Sequence, residues 1–156
     1  MKIIFLHGLE STNKSSKVRV MRSLGHDVVA PEMDYRTKPD LFQTTLSLIK
    51  DFQPELIVGS SMGGYFAYHL GTHFNANLLL LNPALPRRSF NPEILSDGKE
   101  KPNIWALLGS NDFVVPPDAN RSILERLGAK ITVGDHGHRT PEDIFEAFFN
   151  EVLNEI

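Results

Sequence analysis

The sequence predicts a single three-layer α/β/α sandwich built on about six mostly parallel strands. Three observations carry this reading: short apolar runs bounded by breakers recur along the chain, helical patterns alternate with them, and the whole spans 156 residues. Alternating strand and helix is the pattern of a parallel sheet covered on both faces. A chain of that length buries roughly two thirds of the surface it exposes when unfolded, enough for one core. No internal repeat or long linker divides it, so residues 1–156 read as one domain.

The elements follow in order. Lys2 to Leu6 is a short apolar run closed by His7-Gly8, as a buried strand is, and Asp27 to Ala30 is a second one closed by Pro31. Leu41, Thr45, Leu48, Ile49 and Phe52 fall on one helical face. Glu55 to Val58 reads as a strand and Met62 to about Leu70 as a helix, with glycines between them. Leu78 to Leu81 is the next strand. The stretch Pro83 to Pro102, "PALPRRSFNPEILSDGKEKP", has no clear period, with a short helical turn expected at Pro92 to Leu95. Connections of roughly twenty residues are often lids or binding loops, and residues 83–102 are a candidate for either. Ile104 to Leu108 is a strand, Ser122 to Leu127 a helix, and Ile131 to Val133 the last strand. The final helix opens at Thr140-Pro141-Glu142-Asp143, with Thr140 as N-cap, and places Ile144, Phe145, Phe148, Phe149, Val152 and Leu153 at helical spacing.

Composition narrows the function classes. The apolar fraction is 41%, the charged fraction 22% and the formal net charge -3, ordinary values for a soluble globular domain. Six of the sixteen basic residues fall between Lys14 and Lys38, too diffuse for a phosphate-tracking stripe, so no nucleic-acid partner is expected. Cysteine is absent, which excludes disulfides, thiolate nucleophiles and cysteine-ligated zinc. The opening "MKIIFLHGLE" is too short in apolar residues for a secretory signal, and no window approaches the roughly 20 apolar residues that span a membrane. A cytoplasmic protein that works without a membrane is the expectation.

The run "VGSSMGGY" lies between a strand and a helix, and Gly59-Ser60-Ser61-Met62-Gly63 fits Gly-x-Ser-x-Gly at that junction. In such an elbow the serine occupies a strained turn, and glycines two residues to either side let the helix approach the strand. Only Ser61 is bracketed in this way; Ser60 has Val58 and Met62 at those positions. The oxygen of Ser61 would stand at a helix N-terminus, where backbone amides favour developing negative charge. The glycines alone could equally form a tight turn or a phosphate nest, but neither Gly-x-Gly-x-x-Gly nor a Walker loop fits.

A nucleophilic serine needs a base and a group to orient it. The loop "GSNDFVVP" after the fifth strand offers Asp112, and "GDHGHRTP" after the sixth offers His136 and His138. Both loops leave the same sheet edge as Ser61, where ligands bind in open α/β folds. Asp118 is a weaker rival for the acid, since Pro116-Pro117-Asp118 looks like a helix start. Asn82 ends the strand between, where an amide cannot serve as the acid. His136 and His138 are only a lone His-x-His, so no metal is expected. His26, His69 and His73 read as surface residues. Two amides are needed for an oxyanion: that of Met62, and that of Leu9 on the loop "FLHGLES", which His7-Gly8 turns sharply. His7 is a brace for that loop and a further candidate contact to substrate, together with Arg87 and His138.

The ordered set "HGLEST", "GSSMGGYFA", "NPAL", "GSNDFVVP" and "GDHG" resembles the α/β-hydrolase superfamily and, within it, the small bacterial YqiA/YcfP-type esterases. The resemblance covers most of the chain. It implies a compact hydrolase sheet of six strands in the order 2-1-3-4-5-6, without the first antiparallel strands of larger members and without a full cap domain. It implies Ser61 as nucleophile, Asp112 as acid and a histidine just after the last strand. The family places that histidine six positions before the acidic start of the last helix, a spacing that His136 meets to Glu142 and His138 does not. The chain departs from the family between Pro83 and Pro102, where it is shorter.

The function expected from these residues is a serine hydrolase that cleaves small carboxylic esters or thioesters through an acyl-enzyme on Ser61, with no cofactor. The alternative is a hydrolase-fold binding or interaction protein with little turnover.

Overall fold

A computed structural model of the chain describes residues 1–95 and 97–156; position 96, inside the Pro83 to Pro102 stretch, lies outside the described residues. The six strands are β1 (Lys2–Leu6), β2 (Asp27–Val29), β3 (Leu56–Ser60), β4 (Asn77–Leu81), β5 (Ile104–Gly109) and β6 (Lys130–Gly134). They form one sheet in the order β2-β1-β3-β4-β5-β6, and every neighbouring pair is parallel. The helices are α1 (Ser16–Ser23), α2 (Leu41–Phe52), α3 (Met62–Gly71), α4 (Pro117–Arg126) and α5 (Glu142–Leu153). The expected sheet order is the one observed.

Strand side chains alternate between the faces, so a strand covered on both sides reads as an unbroken apolar run. In β4, Leu78 and Leu80 join the core with Phe42 and Ile49 of α2, Phe66 and Leu70 of α3 and Leu124 of α4. Leu79 and Leu81 join the opposite core with Val18 and Met21 of α1 and Phe145, Phe148 and Phe149 of α5. Burying a large apolar side chain contributes about 1.5–3 kcal/mol; two such layers hold the sheet between them.

After β1 the chain moves outward to β2 and then returns to β3 on the other side of β1. The loops following β1 and β3 therefore diverge at the carboxyl edge, which creates the crevice where open α/β sheets bind ligands. Ser61 sits on one of these loops and Leu9 on the other.

Four local features differ from the sequence expectation. Helix α1 has no counterpart in the apolar pattern, because only Val18, Val20 and Met21 are buried. Its signals are terminal: the Ser15 side chain accepts from Lys17 N at 3.2 Å, and Gly25, at φ 85°, follows the last turn. Helix α4 starts at Pro117 rather than near Ser122, with Asp118 in its first turn. Thr140 does not cap α5; Pro141, with ψ 155°, occupies that position, and the buried Oγ1 of Thr140 has no hydrogen-bond partner among the described residues. No helical turn forms over Pro92–Leu95. Further along the connection the chain is tied to the end of α3, where Gly98 N donates to Thr72 Oγ1 at 2.7 Å and Glu100 N to Thr72 O at 2.8 Å.

Candidate active site

The turn at Ser61 has φ 54° and ψ -115°, a conformation that an L-residue holds only when its surroundings dictate it. They do so from every side. Ser61 N donates to Leu81 O at 2.9 Å, and Ser61 O accepts from Gly64 N, Tyr65 N and Ala84 N at 2.9 to 3.1 Å. The flanking glycines are steric necessities: a Cβ on Gly59 would lie 2.4 Å from Gly63 O, and one on Gly63 would lie 1.9 Å from Leu6 O. The backbone of α3 thus runs directly over β3 and β1, and Ser61 projects above the sheet edge.

The Ser61 hydroxyl donates to His138 Nε2 at 2.9 Å, and His138 Nδ1–H donates to Asp112 Oδ2 at 2.8 Å. The other oxygen of Asp112 accepts from Val114 N at 2.8 Å and Val115 N at 2.9 Å. The carboxylate is thereby fixed in place with its side chain only 1% exposed. A buried carboxylate bound on one side by two amides can present its remaining oxygen only to the imidazole, and it sets which ring nitrogen carries the proton.

The residue joining Ser61 to Asp112 is therefore His138, which corrects the expectation of His136 for that place. The reason is local. His136 N donates to Gly134 O at 3.0 Å, which folds the chain back at the end of β6. Its ring turns inward against Gly109 and Gly134, where added Cβ atoms would lie 2.8 Å from ring atoms. Nδ1–H donates to Gly137 O at 2.7 Å, and the buried Nε2 has no partner among the described residues. The loop then needs two more residues to reach over Ser61. No count of residues to the final helix could reveal this, because room for the His136 ring comes from glycines on two different strands.

Asn82, set aside in the sequence as a mere non-acid, holds the histidine loop. Its Oδ1 accepts from Gly109 N at 2.7 Å, while its amide donates to His138 O at 2.8 Å and to Gly137 O at 3.3 Å. It is buried at φ 42°, in the left-handed region that asparagine tolerates better than most residues. Its position at the end of a buried strand was the available signal.

His7 does not face the cavity, which corrects its assignment as a substrate contact. Met33 N–H donates to its Nε2 at 2.9 Å, its Nδ1–H donates to Gly8 O at 2.8 Å, and Tyr35 Oη donates to its carbonyl at 2.5 Å. Both ring nitrogens are spent on bracing the loop after β1. That loop passes close to the elbow: a Cβ on Gly8 would lie 3.3 Å from both Ser60 O and Ser61 Cβ. Gly8, Leu9 and Met62 line one cavity of about 760 Å³ with Ser61 and His138. Arg87 lines it as well, at the start of the Pro83 to Pro102 stretch. Asp118 lies in the first turn of α4 and is not part of this constellation. Of the remaining histidines, His69 pairs with Asp97 at 2.5 Å, and His26 packs edge-on against Phe149.

An open parallel sheet in this strand order, with a strained serine turn after β3, defines the α/β-hydrolase fold. The chain matches the model of the uncharacterised protein family UPF0227 over residues 2–116, most of its length, and belongs to that family. Among solved structures it is similar to a protein placed among the hydrolases of the α/β superfamily from Xanthomonas campestris pv. campestris, with TM-score 0.81 and 20% identity over 99% of both chains. It is also similar to Est1E from Butyrivibrio proteoclasticus, with TM-score 0.76 and 14% identity over 99% of this chain and 87% of that one. A third similar structure is esterase PE8, with TM-score 0.70 and 16% identity over 97% of this chain and 92% of that one. At these identities the likeness establishes the fold alone. No curated protein sequence matches the chain. Among the described residues no helix is long and apolar enough to cross a membrane.

Proposed function

We propose that the protein is a serine hydrolase acting on small carboxylic esters or thioesters through an acyl-enzyme on Ser61. The observation that carries the reading is the continuous hydrogen-bond chain from Ser61 through His138 to Asp112, seated on an elbow whose strain has no other evident purpose. The names of similar structures, esterase PE8 among them, point the same way.

Ser61 Oγ attacks the substrate carbonyl carbon while His138 Nε2 takes the hydroxyl proton. The carbonyl oxygen becomes an oxyanion facing the amides of Met62 and Leu9. Met62 is the first residue of α3, so its N–H has no partner within the helix, and Leu9 lines the same cavity. One such donor is worth about 2.7–4 kcal/mol of transition-state stabilisation. The imidazolium, oriented by Asp112, returns the proton to the departing alcohol or thiol as the tetrahedral intermediate collapses to the acyl-serine. Water, deprotonated by His138, attacks the acyl carbon; the acid leaves, and Ser61 recovers its proton.

Hydrolysis of p-nitrophenyl acetate and labelling by a fluorophosphonate probe test the reading. Both are expected in the native protein and lost in Ser61→Ala. A hydrolase-fold binding protein would instead leave Ser61 unlabelled and the ester intact.

A further inference from the structure

The cavity in front of Ser61 has an unusual charge for a protein of net charge -3. Lys17, Arg87, Arg88 and Arg139 line it, against a single acidic residue, Glu10. The carboxylates that could answer these cations are engaged elsewhere: Glu10 with Arg36 at 2.8 Å, Glu142 with Arg19 at 2.6 Å, and Asp112 with His138 at 2.8 Å. Arg88 is a wall element, since its guanidinium donates to Ala84 O, Leu85 O and Asn91 Oδ1 and stacks on Tyr65. Arg87 and Arg139 have no ion-pair partner among the described residues.

Lys17 and Arg139 are the two cavity cations tied to the loop that carries His138. Arg139 follows His138 directly in the chain. The ammonium of Lys17 donates to Thr140 O at 3.0 Å, which pins it to the same loop. This placement runs against three physical preferences. A cation in the first turn of α1 faces the positive end of the helix dipole. Burial lowers the pKa of Lys17, the like charge of Arg139 lowers it further, and Glu142 offsets only part of this. A protein that gathers unpaired like charges beside a nucleophile gives up stability there, which is common where a ligand completes the site. Part of the lining is apolar: Phe113 and Val114 are 90% and 57% exposed beside the cavity.

We propose that the substrate of this cavity is an ester bearing an anionic group, a carboxylate or a phosphate, held by Lys17 and Arg139. This rests on the acyl-transfer reading of Ser61. The anion supplies the counter-charge that the cavity lacks, and it places the scissile carbonyl against Ser61 while the apolar part lies on Phe113 and Val114. Charge-assisted hydrogen bonds to carboxylate or phosphate are stronger than neutral ones, so the charged ester is selected over its neutral analogue.

Matched ester pairs test this. Mono-p-nitrophenyl glutarate against p-nitrophenyl pentanoate places the anion on the acyl side; para-acetoxybenzoate against its methyl ester places a carboxylate on the alcohol side, and para-acetoxyphenyl phosphate against para-methoxyphenyl acetate places a phosphate there. In at least one pair the anionic ester is expected to show kcat/KM at least about tenfold above its neutral partner. That ratio falls toward one in Arg139→Gln and in Lys17→Met. It persists in Lys130→Gln, which removes a cation at the start of β6, away from the carboxyl edge of the sheet. Ratios at or below one in all pairs, or a ratio untouched by both cavity variants, overturn the proposal. Calorimetric binding of para-acetoxybenzoate and its methyl ester to Ser61→Ala keeps the two readings apart. Tighter binding of the anion without any Ser61-dependent hydrolysis sinks the acyl-transfer reading and leaves the anion site; hydrolysis without any preference for the anion sinks only the anion site.

Discussion

The side-chain amide of Asn82 donates to the carbonyl of His138 at 2.8 Å while its oxygen accepts from Gly109 N at 2.7 Å. One side chain thus ties the loop carrying His138 to the end of the neighbouring strand β5, after which Asp112 also lies.

Asn82→Asp tests that relation with almost no change of shape. The replacement puts a carboxylate oxygen where an amide donor faced two carbonyls, and the loop is pushed away. A misplacement of about 1 Å at a catalytic group can lower a rate by about 100-fold. We expect kcat for p-nitrophenyl acetate to fall by roughly that factor with KM little changed, and fluorophosphonate labelling to slow in parallel. Unaltered kcat in a folded variant would assign Asn82 a purely structural role.

The two histidines of the loop separate by kinetics. His138→Ala removes the base and should lower kcat by about 10³-fold or more. His136→Gln leaves Ser61, His138 and Asp112 in place and should retain most of the activity, with a stability cost of about 1 kcal/mol for disturbing a buried ring.

Tyr35 supports the opposite wall. Its hydroxyl, buried and held un-ionised by desolvation, donates to His7 O at 2.5 Å. Tyr35→Phe leaves that carbonyl without this donor in the interior, a loss of about 1–3 kcal/mol readable as a lower midpoint in urea unfolding. Wild-type stability in this variant would mean that His7 O finds another donor.

The stability of Lys17 has a definite pH dependence. Its pKa in the fold lies below the ordinary 10.5, chiefly through burial. Between the lowered folded value and 10.5 the unfolded chain holds the proton and the folded chain does not, so stability rises with pH across that window. Below it the cost of burying the cation is paid in full. The unfolding midpoint of the native protein should therefore gain on that of Lys17→Met as the pH is raised toward 10.5. A constant difference would show that the ammonium carries no such penalty.

Much of this fold could be read from the chain because its strands are buried on both faces. β3 and β4 carry the apolar runs Leu56 to Val58 and Leu78 to Leu81, and Gly59 and Gly63 flank Ser61 where an added Cβ would collide with backbone. Helix α1 escaped because its capping residues, rather than its apolar spacing, define it. Ser61 and Asp112 could be singled out from local motifs, on the connections that leave β3 and β5. The choice between His136 and His138 was not, since it depends on Gly109 and Gly134 meeting around one ring across two strands. The same holds for Lys17 and Arg139, which are distant in sequence and meet only when α1 packs beside the histidine loop.

The central claim is that Ser61 is a nucleophile served by His138. Its most direct measurement is mass-spectrometric mapping of the adduct after fluorophosphonate treatment of the native protein, His138→Ala and Ser61→Ala. The account predicts a single modified peptide carrying Ser61 in the native protein, strongly slowed modification in His138→Ala and none in Ser61→Ala. An adduct on another residue, or labelling of Ser61 at the same rate without His138, would contradict it.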